Sequence, residues 1–409
     1  MTHGRDLMGQ RSETVRRANL GAIVRELYAR GPLSRSELVR RTGLTRSAIR
    51  VLTGQLTAAG FVAEGQAPPL GVPGRPSHLV RLVPGGALVL ALEIAVDSSA
   101  AAVVGLDGSV DGWVRRERAV GVDPTERAHG LAALAARVLG DRTVDDVVGI
   151  AVAVPGVVRR RDGFVSMAPN LRWRDVPFGE MTAGALGTTV PVAVANEADL
   201  AALAELRRGA ARGESDVVLV SGAIGVGGGL VAGGRPLLGA AGYGGEIGHM
   251  PVLPAGAPCR CGSIGCWETV VGLEAILARA GREPDGGLVA LDGMLRDAAS
   301  GLPAARAAVE ETGEWLGIGL AGLVNLLNPR LVVLGGVFET LFPFVAERID
   351  AELDRRVLPA PRALVRVVPA KLGADAPLRG AAELAFEALL EDPARWFTRG
   401  RVAPERRSA

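Results

Sequence analysis

All three cysteines of the chain fall inside one eight-residue window, CRCGSIGC, as Cys259, Cys261 and Cys266. Thiolates spaced C-x-C-x4-C can close around a single ion. The nearest imidazole, His249 in EIGHM, completes an H-x9-C-x-C-x4-C set. Three sulfurs and one nitrogen fill the tetrahedral shell of Zn2+ and leave no position for an activated water, so the expected metal is structural. Gly262 and Gly265 supply the backbone freedom that so short a ligand loop needs. No C-x-x-C pair is present for thiol redox chemistry, and three is an odd number of thiols. With the polar, basic opening MTHGRDLMGQRSETVRR, this points to a cytoplasmic protein with reduced cysteines.

A second group of residues suits nucleic acid. TVRRANLGAIVRELYARG carries Leu20, Ile23, Val24 and Leu27 as the apolar stripe of an amphipathic helix that ends at Gly31. In LSRSEL, Ser34 is placed to cap a helix, Glu37 to return the bond, and Leu33 and Leu38 to staple the entry. Gly43 makes a tight turn, and a third helix starts at the cap Thr45, with Leu44 and Ile49 as its staple. That third helix buries Ile49, Leu52 and Leu56 and presents Thr45, Arg46, Ser47 and Arg50 at its start. Two short helices joined by a glycine turn form a helix-turn-helix whose second helix can enter a major groove. Two short strands around APPLGVPGRPS then form a wing, where Arg75 can reach a phosphate or the minor groove.

Charge and length place these groups in separate domains. Residues 1 to 80 hold 12 Arg against 5 acidic residues, while the whole chain of 409 residues has a net charge of only +2, so the body is acidic. A basic head on an acidic body is the footprint of a DNA-binding module joined to another domain. At 48% hydrophobic and 22% charged, the chain is globular, and no uncharged apolar run approaches the roughly 20 residues that span a bilayer. Beyond residue 84, β-branched apolar runs such as ALVLALEIAV and RLVVLGGVF alternate with helical patterns, which reads as α/β. Two glycine-rich turns, GAIGVGGG (222–229) and LGGVF (334–338), follow strands. They fit either a ligand approached by backbone amides or plain tight turns.

The ordered series APNLRW, VANEADLAALAE, GVGGGLV, GYGGEIGHM, CRCGSIGCWE and VNLLNPRLVVLGG resembles the ROK family of repressors, open reading frames and sugar kinases, over about residues 86 to 390. The resemblance implies an actin-like, hexokinase-like fold of two α/β lobes behind the winged-helix (α+β) head, with a sugar in the cleft. It also implies that the metal-binding histidine touches the sugar. Carried over residue by residue, the sugar contacts are Asn170, Asn196, Glu197, Glu246, His249 and Glu268. The phosphate-binding motifs of the family's kinases are altered: Glu93-Ile94-Ala95-Val96-Asp97 stands for Asp-x-Gly-Gly-Thr, Ser221-Gly222-Ala223-Ile224-Gly225 stands for Thr-Leu-Gly-Thr-Gly, and Glu197 stands for the general-base aspartate. The resemblance to the xylose-repressor branch therefore implies a non-enzymatic, sugar-responsive regulator, a repressor released from operator DNA, working as a homodimer or homotetramer. The alternative is an active sugar kinase with a DNA-binding head. The expected division is a winged helix-turn-helix over 1–84, a two-lobed sugar-binding body over 85–392 and a disordered tail over 393–409.

Overall fold

The computed structural model describes residues 3–66, 78–117 and 123–397, with side chains from residue 12 onward. Helix α1 (His3–Arg30) buries Leu20, Ile23, Val24 and Leu27, and starts well before its apolar stripe. After β1 (Leu33–Ser34), α2 (Arg35–Thr42) opens with the full reciprocal cap: Glu37 N donates to Ser34 Oγ at 3.2 Å, and Ser34 N donates to Glu37 Oε2 at 2.8 Å. Gly43 ends it in the left-handed region at φ 70°, and Thr45 caps α3 (Arg46–Ala58) by accepting from Ala48 N. Strands β2 (Val62–Gln66) and β3 (His78–Leu82) pair antiparallel, with β1 on the far side of β3. The tip of the wing, including Arg75, lies outside the described residues.

The body holds two five-stranded sheets of one topology. In the first lobe, β4 (Leu88–Ile94), β5 (Ser98–Gly105) and β6 (Val110–Glu117) form an antiparallel meander. Helix α4 (Pro124–Leu139) leads to β7 (Gly149–Val154), which joins β4 in parallel. A side sheet of β8 (Val157–Arg159), β9 (Phe164–Ala168) and β10 (Trp173–Val176) and helix α5 (Phe178–Leu186) precede β11 (Val192–Asn196), parallel to β7. Helix α6 (Glu197–Arg208) carries the chain to the second lobe, where β12 (Val217–Gly222), β13 (Val226–Ala232) and β14 (Arg235–Pro236) repeat the meander. Helices α7 (Glu268–Val271), α8 (Leu273–Arg279), α9 (Gly287–Ala299) and α10 (Pro303–Leu327) follow. Strand β15 (Leu331–Gly336) adds in parallel to β12, then come α11 (Val337–Arg356), α12 (Pro359–Arg362) and β16 (Arg366–Pro369), parallel to β15. Helices α13 (Ala376–Ala385) and α14 (Glu387–Glu391) return to the head. No described helix is long and apolar enough to cross a membrane.

Two contacts bear on the expected division of the chain. The division at residue 84 is not a break in packing, because one buried cluster joins Leu20, Leu27, Tyr28 and Phe61 of the head to Phe386, Leu389 and Leu390 of the body. Tyr28 meets Phe386 edge-on at 5.7 Å, Arg25 donates to Leu390 O at 2.9 Å, and Arg17 pairs with Asp392. Nor is the tail free from residue 393: Pro393–Trp396 forms a 3-10 turn, and Phe397 packs 6.1 Å from Phe61. Two aromatic side chains gain more from burial there than the polar remainder of the tail suggests. Residues 398–409 lie outside the described residues.

Candidate functional site

The cleft is built around the start of α6. Asn196 caps that helix, its Oδ1 accepting from Ala198 N at 2.7 Å, while its Nδ2 donates to Gly156 O at 2.8 Å. Glu197 follows as the first helical residue. Burial, with the Glu93 and Asp97 carboxylates nearby, pushes its carboxyl up to about 7. Asp199, two residues on, is also raised to about 7 by burial, against the lowering pull of Arg160. The sequence reading did not single out Asp199. Its place in N-E-A-D at the helix start was the available signal.

The opposite wall comes from the second lobe. Glycines 227 to 229 of β13 replace side chains with contact surface: a Cβ on Gly229 would run into Ala198 and Ala202 of α6, and one on Gly228 would run into Ile247. That close approach seats the turn Ile247–His249 and, just before it, Glu246. At Gly228 and Gly229 the structure shows close packing, a use of glycine outside the two readings the sequence left open, while Gly225 and Gly227 line the cavity. Glu246 is raised by burial, with His249 opposing the shift, and its Oε2 lies 3.9 Å from His249 Nε2. Trp267, fully buried and donating from its indole to Trp315 O at 2.8 Å, fixes the entry to α7 and so aims Glu268. Glu268 Oε1 sits 3.6 Å from His249 Nδ1 and 2.8 Å from Cys259 Sγ, and its Oε2 accepts from Val226 N at 3.4 Å.

The four expected ligands converge. The ligand atoms of His249, Cys259, Cys261 and Cys266 lie within 4.8 Å of one another. Cys259 Sγ is 3.7 Å from His249 Nδ1, and Cys261 Sγ is 3.8 Å from Cys266 Sγ. A tetrahedral shell with metal–sulfur bonds of about 2.3 Å has edges of about 3.8 Å; the two pairs above match that length, and the full set, spread over at most 4.8 Å, fits one ion after shifts of about 1 Å. The ring's other nitrogen, Nε2, is then left facing Glu246.

A cavity of about 430 Å³ lies between these walls, and Asn170, Asn196, Glu197, Glu246, His249 and Glu268 all line it. Three carboxylates, two amides and an imidazole offer the mixed donors and acceptors that a polyhydroxylated ligand needs. At the first-lobe end, the β4–β5 turn, whose Val96 lines the cavity, is braced by arginines from β6 and α4. Buried Glu93 accepts from Arg115 at 2.9 Å, and Arg127, buried in α4, donates to Val96 O at 2.9 Å and Ser98 O at 3.1 Å. Both arginines lie far along the chain from that turn and were missed from sequence. In the head, Thr45, Arg46, Ser47 and Arg50 are all exposed at the start of α3.

The model of the ROK family matches residues 89–388. A glucokinase of Streptomyces coelicolor is 32% identical over 285 residues, 64% of this chain and 88% of that protein. The xylose repressor of Bacillus spizizenii is 25% identical over 392 residues, 92% of this chain and 97% of that one. Among solved structures, a ROK family transcriptional regulator homologous to the Escherichia coli Mlc protein superposes with a TM-score of 0.76 at 26% identity, covering 95% of this chain and 98% of its own.

Proposed function

The chain belongs to the ROK family, and from that premise we propose that it is a transcriptional repressor released from operator DNA by a sugar bound in the cleft. One observation carries the reading: Asn170, Asn196, Glu197, Glu246, His249 and Glu268 line one cavity, while in the turn that corresponds by resemblance to the kinases' phosphate loop Glu93 is bound by Arg115 and the Val96 carbonyl by Arg127. The likeness to a xylose repressor and to a ROK regulator over more than nine-tenths of the chain supports it, since those matches include the head. Glu246, His249 and Glu268 hold sugar hydroxyls, with Asn170 at the rim and Asn196 and Glu197 on the facing wall. Zn2+ bound by His249, Cys259, Cys261 and Cys266 supplies a rigid cross-link that fixes the imidazole and the Glu268 loop.

Helix α6 links the two functions. Its first turn lines the cleft, and at its last turn the Arg208 guanidinium lies 4.4 Å over the Tyr28 ring of α1 and 2.9 Å from Glu383. A shift of α6 on ligand binding therefore moves α1, and with it the helix pair. Thr45, Arg46, Ser47 and Arg50 meet DNA, joined by Arg75 from the wing. A coupling of about 1–3 kcal/mol weakens operator binding about 5- to 150-fold.

The test is a mobility-shift titration on a DNA site selected by the full chain from random duplexes. Arg46→Ala and Arg50→Ala should each cost about 1–3 kcal/mol of affinity. Glu268→Ala should leave DNA binding in place and abolish release by sugar. Unchanged shifts for both arginine variants, or sugar release of the Glu268 variant, would defeat the assignment. The glucokinase likeness favours one second reading, an active kinase, for which sugar-dependent ATP turnover is the signature.

A further inference from the structure

The cavity does not end at Asn170. It opens there into an outer space of about 660 Å³ at the cleft mouth, and three guanidinium groups, Arg172, Arg174 and Arg260, line it. Arg260 is engaged, donating to both oxygens of Glu274 at 2.7 and 2.9 Å and to Asn170 Oδ1 at 3.4 Å. Arg172 and Arg174 are exposed, and among the described residues neither side chain has an ion-pair or hydrogen-bond partner.

Their placement is built rather than incidental. Both flank Trp173, which is only 5% exposed and packs against Phe178 at 4.9 Å, so the indole anchors the segment and leaves the two arginines on its open side. Arg172 closes the turn Pro169–Leu171 in the left-handed region at φ 57°, and Asp175 follows at φ 52°. Glycine adopts that conformation without steric cost, whereas a branched side chain is strained there. The chain nevertheless carries a long cationic side chain at the mouth. The cleft is thus polarised: Glu197, Glu246 and Glu268 make its floor acidic, and Arg172 and Arg174 make its rim basic.

A neutral sugar uses only the floor. An anion is repelled by the floor and drawn to the rim, where two guanidinium groups unpartnered among the described residues raise its local concentration. Building on the sugar-sensor reading, we propose that the ligand is a sugar carrying an anionic group, a phosphate or a carboxylate. Its hydroxyls face Glu246 and Glu268, and its charge rests on Arg172 and Arg174. Guanidinium forks match both oxyanions in bidentate geometry.

The test is calorimetric titration of the metal-loaded full chain with glucose, glucose 6-phosphate and glucuronate, and with the matching galactose and N-acetylglucosamine series. One anionic member should bind at least about tenfold more tightly than its neutral parent, and the margin should shrink between about 50 and about 500 mM salt. Which anion wins separates phosphate from carboxylate. The double variant Arg172→Ala/Arg174→Ala should lose the margin while keeping the affinity of the neutral parent. Equal or tighter binding of the neutral sugars, or a margin that survives the double variant, overturns the inference and leaves the sugar-sensor reading standing. If no member of the panel binds, the inference falls, while the sugar-sensor reading stands or falls on the mobility-shift titration.

Discussion

The two lobes share one strand order, yet their equivalent hairpins meet the cleft unequally: the β4–β5 turn reaches the cavity through Val96, the β12–β13 hairpin through Ser221 and residues 223–227. In the first lobe, β4 and β5 meet at a turn braced by the Arg115–Glu93 pair and by Arg127 on the Val96 carbonyl, and β5 runs through Ser98, Ser99 and three alanines. In the second lobe, β12 and β13 meet at Ala223–Ile224–Gly225, and β13 runs through Gly227, Gly228 and Gly229. Removing three Cβ atoms lets α6 and the Ile247–His249 turn crowd against the strand, which brings Glu197 and Glu246 to the same cavity. The topology alone does not decide which half of such a molecule grips a ligand. Side-chain volume at one hairpin does.

The sharpest way to break this contrast is to damage each lobe once. Cys266→Ala in the second lobe should drop bound metal from one ion per chain to none by elemental analysis, and lower sugar affinity about 100-fold. Glu93→Gln in the first lobe removes the charge of a buried carboxylate whose partner Arg115 is only part-buried, and should cost about 1–3 kcal/mol of stability in denaturant titration, with sugar affinity held within about threefold. If the Glu93 variant loses the sugar as severely as the Cys266 variant, the lobes are not divided in this way.

A finer probe is steric. Gly229→Ala should destabilise by about 1–3 kcal/mol through overpacking against Ala202, whereas Ala102→Gly on β5 should cost only about 0.5–1 kcal/mol of backbone entropy. Thermal melts of the two variants read the difference directly.

The smallest expected effect is electrostatic. Glu197 and Asp199 both bind protons more tightly when folded, at about 7, than in an unfolded chain near 4. Their contribution is therefore fully present below about 4, falls as pH rises and levels off above about 7. Glu197→Gln should flatten that fall and raise stability at pH 8, by on the order of 1 kcal/mol after screening. A slope unchanged by the substitution would show that Glu197 is solvated like a surface carboxylate.

Legibility from sequence followed the range of the interactions. The caps Ser34 and Thr45, the αL glycine at 43 and the clustered thiols are signals within a few residues of what they control, and the structure places each as read. The strands beyond residue 84 were legible because buried β-branched runs are bounded by turn residues. The Glu93–Arg115 pair, the burial of Arg127 and the docking of Phe397 on Phe61 were not legible. Each depends on residues brought together by the completed fold, and an arginine reads as surface until a carbonyl cage is found for it. The docking of residues 393–397 was not legible because averaging over the seventeen residues of the tail hides Trp396 and Phe397 at its start.

The core shared by Tyr28, Phe61, Phe386 and Leu389 bears on how such proteins can be recombined. The two ends of the chain clasp one another, so a head cut out at residue 84 and fused to a foreign body would carry a bare apolar face. A working chimera has to transplant the first 84 residues together with residues 386–397, as one piece drawn from two distant stretches of the chain.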